Sequence, residues 1–319
     1  MSFSSFFLSD SYDKVHALGD RLGDVKGLID WSAFVPLLSS LYDDDHVTGG
    51  RPHTDEIVLI KMLILQQWYS LSDAALEKEC YDRLSFQHFL DFPSHIPDRT
   101  TIWKCRERII KNNADTLIWS ELQRQLDERG LKITRGTIQD ATFITSDPGH
   151  ARADKPRGGL AQTRRSKDGT WAKKGKKSFF GYKMHSLLDK DHMFIRRMKT
   201  TTASLHDSQV DLSERGETVY RDKGYFGVKP KASMDKTMKR AVRNKPLSEK
   251  DKRRNKAISR VRSRVEYPFA VIKRTFQGGH ELVTTVQRVH VKNMFACVAY
   301  NLFRLETILN PKKKQKKTR

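Results

Sequence analysis

The sequence predicts an α/β chain in two parts, an all-helical N-terminal domain over residues 1–132 and a domain of short strands and helices over residues 133–309. Three observations carry this reading. Apolar residues recur at helical spacing through the first part. From Arg135 onward they fall instead into short runs rich in β-branched and aromatic residues. Charge also changes sign near the same point: residues 1–130 hold 14 Lys and Arg against 21 Asp and Glu, and the remainder holds 46 against 17.

In the first part, Ile57, Ile60, Leu63, Ile64 and Gln67 fall near a helical period behind Thr54, a candidate N-cap, and an acidic first turn. A second helix is expected from Ser72. A third spans Thr101 to Asn113, with Ile102, Cys105 and Ile109 on one face, and a fourth ends at Gly130, a C′ glycine. Helices joined this closely can form a helix-turn-helix that reads DNA. Phosphate contact wants cations, however, so the acidic balance favours packing or dimerisation.

In the second part, strands are expected at Thr137–Thr145, Phe179–Leu188, Met193–Thr202 and Thr218–Arg221, the middle two pairing through the polar turn Asp189 to His192. Residues 151–177 hold 10 basic and 2 acidic side chains, several glycines and a lone Trp171, without apolar periodicity. This reads as a basic, mobile insertion; Arg164, Arg165, Lys173 and Lys174 are its candidate DNA contacts, and a solvated stretch is the alternative. A short helical stretch is expected over Asp207–Arg215, and a long basic segment over Lys236–Arg264. Ile258, Val261, Val265, Phe269, Ile272 and Phe276 then form one apolar stripe. A last amphipathic helix runs from about Val291 to Leu309, before a basic, disordered tail at 310–319.

A net charge of +22 attracts polyanions, although ribosomal and histone-like proteins share that property. No apolar run approaches the roughly 20 residues that cross a bilayer, and Met1–Asp10 lacks the basic start and cleavage site of a secretory signal. A cytoplasmic, nucleoid-associated protein without a membrane partner is expected. Cys80, Cys105 and Cys297 are odd in number and widely spaced, which fits buried thiols rather than disulfides or a zinc site.

Phosphodiester chemistry with metal ions needs carboxylates, because Mg²⁺ and Mn²⁺ are hard cations that prefer oxygen. Asp140 lies inside a predicted strand, where Asp is disfavoured unless something binds it. Asp222 ends another strand, the usual place for a functional residue. Each has a plain alternative, Asp140 as a turn cap and Asp222 as an Asx-turn. Glu266 shares one helix edge with Arg262 and Lys273 at about 100° per residue. Its alternative is a solvated ion pair with Arg262, and Pro268 should kink the helix there.

The blocks QDATF (139–143), TASLHDS (202–208), RDKGYF (221–226) and RSRVEYPFAVIKRTF (262–276), with the stretch 293–305, resemble the DDE transposases of the prokaryotic insertion-sequence five family. Residues 71–92 and 97–108 resemble the helical domain that accompanies them, so the likeness covers roughly residues 50–309. It implies an RNase H-like core, with Asp140, Asp222 and Glu266 as catalytic ligands of two Mg²⁺ or Mn²⁺ ions. It also implies that Arg262 and Lys273 position DNA phosphates. Ser259 stands where relatives have Tyr, so no DNA contact is carried over to it. His206 and Asp207 fit a family block and are expected behind the ligands rather than on the metal. The implied reaction is hydrolysis at the element's ends, followed by attack of the freed 3′-hydroxyl on target DNA. The implied partners are double-stranded DNA, as terminal inverted repeats and as target, and a second copy of the chain in a homodimer or larger assembly. The competing readings are an inactive DNA-binding regulator and an RNase H-like host nuclease.

Overall fold

The computed structural model describes residues 3–42, 53–149, 166, 168–244 and 246–310. The chain divides into two units, residues 1–129 with 294–319 and residues 130–293. Arg164, Arg165, most of the expected insertion and the basic tail from Pro311 lie outside the described residues.

The first unit is helical: α1 (Phe3–Ala17), α2 (Arg21–Lys26), α3 (Val35–Ser39), α4 (Glu56–Trp68), α5 (Asp73–Asp82), α6 (Leu84–Phe89), α7 (Arg99–Lys111) and α8 (Ala114–Glu128). The sequence EIVLIKMLILQQW is apolar on nearly every side, and every α4 residue except Ile57 is buried. It is therefore a helix buried on nearly every side within the unit. Its N-cap is Asp55, not Thr54; the carboxylate accepts the N–H groups of Ile57 and Val58. Lys61, only 1% exposed, is tolerated because Asp91 pairs with it and the rings of Trp31 and Phe89 face its ammonium. Helix α8 closes before Gly130, which takes the left-handed conformation (φ +76°) expected of it.

The second unit holds a seven-stranded mixed sheet: β1 (Thr137–Ser146), β2 (Thr170–Lys174), β3 (Lys177–Asp189), β4 (Ile195–Thr202), β5 (Thr218–Arg221), β6 (Met234–Thr237) and β7 (His280–Glu281). Order across it is β2-β3-β1-β5-β6, with β4 on β3 and β7 on β1. Strands β1 and β3 pair antiparallel, while β5 and β6 extend the sheet in parallel. Helices α9 (Glu249–Arg262), α10 (Glu266–Ala270) and α11 (Val286–Leu309) follow. This mixed sheet with flanking helices, preceded by an all-helical region, is an α/β RNase H-like core. Among the described residues, no helix is long and apolar enough to cross a membrane.

The β3–β4 hairpin forms as its sequence suggested, and Asp189 explains why. Its carboxylate accepts four successive N–H groups, from Asp191, His192, Met193 and Phe194, so the turn is held by one buried acid. Gly181 marks where β3 changes neighbours, pairing with β2 before it and with β4 after it. There φ is +133°, and an added Cβ would lie 2.5 Å from the carbonyl oxygen of Ile144, so the crossing requires glycine.

Three expectations are corrected. Only Asp207–Gln209 of the stretch 207–215 is helical, as a 3-10 turn. Beyond it, Asp211 accepts the N–H groups of Ser213 and Lys231, a local bonding that competes with helix. Within the basic stretch 236–264, residues 236–237 end β6 and residues 249–262 form α9; they read as polar because β6 is an edge strand and α9 buries only Asn255 and Ile258. Residues 170–177 of the expected mobile insertion form β2 and the turn into β3, with Gly175 at φ +61°. The last helix begins at Val286 rather than Val291, and from Met294 onward it belongs to the helical unit, although we expected residues to 309 within the second domain.

His185 gives the second unit an acid-sensitive core. It is fully buried on β3, with Nε2 2.9 Å from Thr201 Oγ1, and burial lowers its pKa to about 4, Asp207 opposing and Lys183 and Lys199 adding. The folded pKa lies below the unfolded value of 6.5, so the unfolded chain takes up the proton first as pH falls. Stability from this residue is complete above about pH 6.5 and is lost as pH falls towards 4, by roughly 3 kcal/mol. Denaturant titrations at pH 7 and pH 4.5 should show a smaller acid loss for His185→Gln than for the native chain. Equal losses would remove the imidazole from that role.

Candidate active site

The parallel register of β1 and β5 brings the first two acids together. Thr137 lies opposite Val219 and Ile138 opposite Tyr220. Continuing the register by two residues sets Asp140 beside Asp222, where β5 has just ended. Beyond that point the sheet opens. On this side β1 pairs with β5 only at its start and with β7 only at Thr145 and Ser146, leaving a notch beside residues 140–144 among the described residues. Asp222 at the carboxyl end of β5, beside an acid inside the parallel strand β1 and facing a gap in the sheet, makes a typical α/β site.

Asp140 is 15% exposed, and burial pushes its pKa up to about 6. Arg262 and the Ala141 N–H act against that shift, whereas the charge of Asp222 adds to it. Oδ1 accepts the Ala141 N–H at 2.9 Å, and Oδ2 accepts Arg262 Nη2 at 2.6 Å. Asp222 is half-buried and does form the Asx-type cap of its plain alternative, with Oδ1 accepting the Gly224 N–H at 2.6 Å. That leaves Oδ2 without a hydrogen bond among the described residues.

The support beneath Asp222 was missed from sequence. Arg221 is fully buried; Nε donates to Thr237 Oγ1 at 2.8 Å and Nη2 to the Val228 carbonyl at 2.7 Å. Its guanidinium also faces the ring of Tyr225, which is fully buried as well. Arg221 thus ties β5, β6 and the turn after Asp222 together. Burial raises the Tyr225 pKa strongly, helped by the charges of Asp140, Asp207 and Asp222, so the phenol stays protonated. Both residues belong to the block RDKGYF, which was the available signal. On the other flank, Gln139 donates to the Val210 carbonyl and accepts the Leu212 N–H, fixing the loop after the 3-10 turn to β1.

Glu266 is exposed and begins α10, just after a 3-10 turn at Ser263–Val265. Pro268 cannot donate to the Arg264 carbonyl, and the backbone departs from regular α-helix on both sides, continuing as a π-turn over Val271–Thr275. The simple pair of Glu266 with Arg262 is not formed, because Arg262 reaches Asp140 instead. Lys273 is the cation nearest in effect. Burial draws its pKa below the usual lysine value, with Lys174 adding and Glu266 opposing. Lys173 and Lys174 are exposed on β2, beside Trp171, which is 55% exposed.

His206 is exposed and caps the 3-10 turn, Nδ1 accepting the Ser208 N–H at 3.3 Å. Asp207 pairs with Lys183 at 2.8 Å, and Lys183 also donates to the Leu205 carbonyl. Nothing in the charge pattern of β3 singles Lys183 out.

Among the described residues, no three His, Cys, Asp or Glu side chains are gathered closely enough to hold one ion. Mg²⁺ commonly keeps several waters and takes only one or two carboxylates, with substrate phosphate completing its shell. Asp140 and Asp222 fit that donor set; Glu266 stands outside it. The structure therefore defines a class first: an RNase H-like protein with an acid inside one strand beside an acid just past the end of its parallel neighbour. Residues 132–302 match the family model described as Transposase DDE domain, and residues 9–108 match Transposase domain (DUF772). The chain belongs to the DDE transposases. No solved structure matches it.

Proposed function

We propose that this chain is a transposase of the insertion-sequence five type, which hydrolyses a phosphodiester at each element end and transfers the freed 3′-hydroxyl into target DNA. The observation that carries this reading is the pairing of Asp140 with Asp222 at the notch in the sheet. Asp140 and Asp222, joined by Glu266, are the ligands of two Mg²⁺ or Mn²⁺ ions. When bound, such ions supply Lewis-acid stabilisation of the attacking and leaving oxygens. The chain's own residues do the rest. Arg221 and Tyr225 hold the Asp222 turn, while Asp207 and Lys183 stay paired behind the site. Arg262, Lys273, Lys173 and Lys174 take phosphates, with Arg164 and Arg165 in the same role, giving affinity without sequence information. The DNA partners are the terminal inverted repeats and the target duplex. Holding two ends together calls for at least a homodimer, and the positive charge keeps the protein with the nucleoid.

The test uses the full chain with Mg²⁺ and a duplex ending in the inverted repeats that flank its gene. Scission at the repeat boundary, with affinity falling steeply as salt rises, is expected. Tight binding without cleavage would make it a regulator instead. Preferential cutting of RNA:DNA hybrids would make it a nuclease.

A further inference from the structure

We propose that Arg262 is an internal stand-in for the divalent cation: it holds the Asp140 carboxylate until a metal ion displaces it, and the freed guanidinium then takes a DNA phosphate. This rests on the metal-site reading above and adds a coupling between metal and DNA binding. The geometry is that of an unfinished contact. Arginine–carboxylate pairs commonly use two parallel N–H donors. Among the described residues, Nη2 alone reaches Asp140, Nη1 has only Met238 Sδ at 3.9 Å, and the buried Nε has no hydrogen-bond partner. A guanidinium with five donors is left poorly satisfied, which suits a group that has a better acceptor in another state.

The competition is over one carboxylate. Its two oxygens each accept one N–H already, Oδ1 from Ala141 and Oδ2 from Arg262, so a cation that binds Asp140 comes to lie beside the guanidinium. Two positive groups drawn to one largely buried carboxylate repel each other, and the more highly charged ion displaces the single Arg262 donor. Arg262 is also the last residue of α9, immediately before the 3-10 turn, where the helix is no longer continuous. Displacement therefore moves a side chain at a helix end and leaves the core packing alone. Because each event favours the other, metal should tighten DNA binding and DNA should tighten metal binding by the same factor.

The test titrates Mn²⁺ into the full chain and follows the resonance of free Mn²⁺. Removing the internal competitor in Arg262→Gln should tighten Mn²⁺ binding by about tenfold. Arg264→Gln removes an equal charge two residues away, from a side chain bonded to the Lys190 carbonyl, and should change it by less than about twofold. In parallel, Mn²⁺ should raise the affinity of the native chain for a duplex more than that of Arg262→Gln. If Arg262→Gln does not fold, Arg262→Lys, which keeps the charge but loses the planar fork, should shift both readouts the same way by less. Asp140→Asn separates the two levels of the argument. Mn²⁺ binding that depends on Asp140 but is equal in the native chain and Arg262→Gln would overturn the exchange alone. Mn²⁺ binding that ignores Asp140 in every protein would overturn the metal site and the exchange with it.

Discussion

Asp222→Asn should lower Mg²⁺-dependent cleavage of an element-end duplex by roughly a hundred- to a thousandfold, the order lost when one preorganised electrostatic group is removed. Asparagine is the informative replacement because it keeps an Oδ1 that can accept the Gly224 N–H, so the turn after β5 survives. What disappears is the charge on an oxygen that has no other hydrogen bond among the described residues. Stability should change little, and the melting temperature of the variant should follow the native chain closely. Asp222→Ala, by contrast, loses the cap as well and should cost about 1 kcal/mol in addition. The alternative, in which Asp222 only shapes a turn, predicts the reverse order: native cleavage in Asp222→Asn and a defect in Asp222→Ala that tracks stability. Initial cleavage rates and melting curves on the same preparations decide between them.

The sequence was legible where a residue type conflicts with its local setting. An acid inside the strand TIQDATF is out of place unless something binds it, and Asp140 indeed lies at the open notch. The place of Asp222 was legible too, since it follows β5 directly and caps the next turn. Less legible was anything set by partners distant along the chain. No local pattern shows that Arg262 will reach Asp140 rather than Glu266, because the choice is made by packing α9 against the sheet. The same reason hides Arg221, whose charge suggests solvent but whose neighbours Thr237 and Val228 enclose it. Strand β2 was hidden by composition: Lys173, Lys174, Lys176 and Lys177 read as loop, yet they line a two-stranded ribbon anchored by Trp171 and Phe180 at 5.3 Å. Helix α4 was legible as a helix from the spacing of its apolar residues, but that spacing did not reveal that its other positions, among them Lys61 and Gln66, are buried too.

Glu266→Gln carries the second large expectation, and it is the harder test because Glu266 is exposed and has no ion pair among the described residues. For a side chain in that setting, loss of charge should alter stability by no more than about 0.5 kcal/mol. If Glu266 completes the cation site, cleavage should nevertheless fall by about a hundredfold or more in Mg²⁺, and DNA affinity should hold or rise because a phosphate-repelling charge is gone. The backbone makes such a contribution feasible. Between the 3-10 turn at Ser263–Val265 and the π-turn at Val271–Thr275, the five-residue α10 is held by no long run of regular hydrogen bonds. Pro268 removes one further donor inside it. For Glu266 to join Asp140 and Asp222 on binding DNA and metal, this segment would have to turn, and it can do so without unfolding a long helix. Cleavage rate, duplex affinity and melting temperature measured together on Glu266→Gln give the answer. A native cleavage rate with Mg²⁺ well below saturation would leave Glu266 as a solvated surface acid and reduce the centre to Asp140 and Asp222.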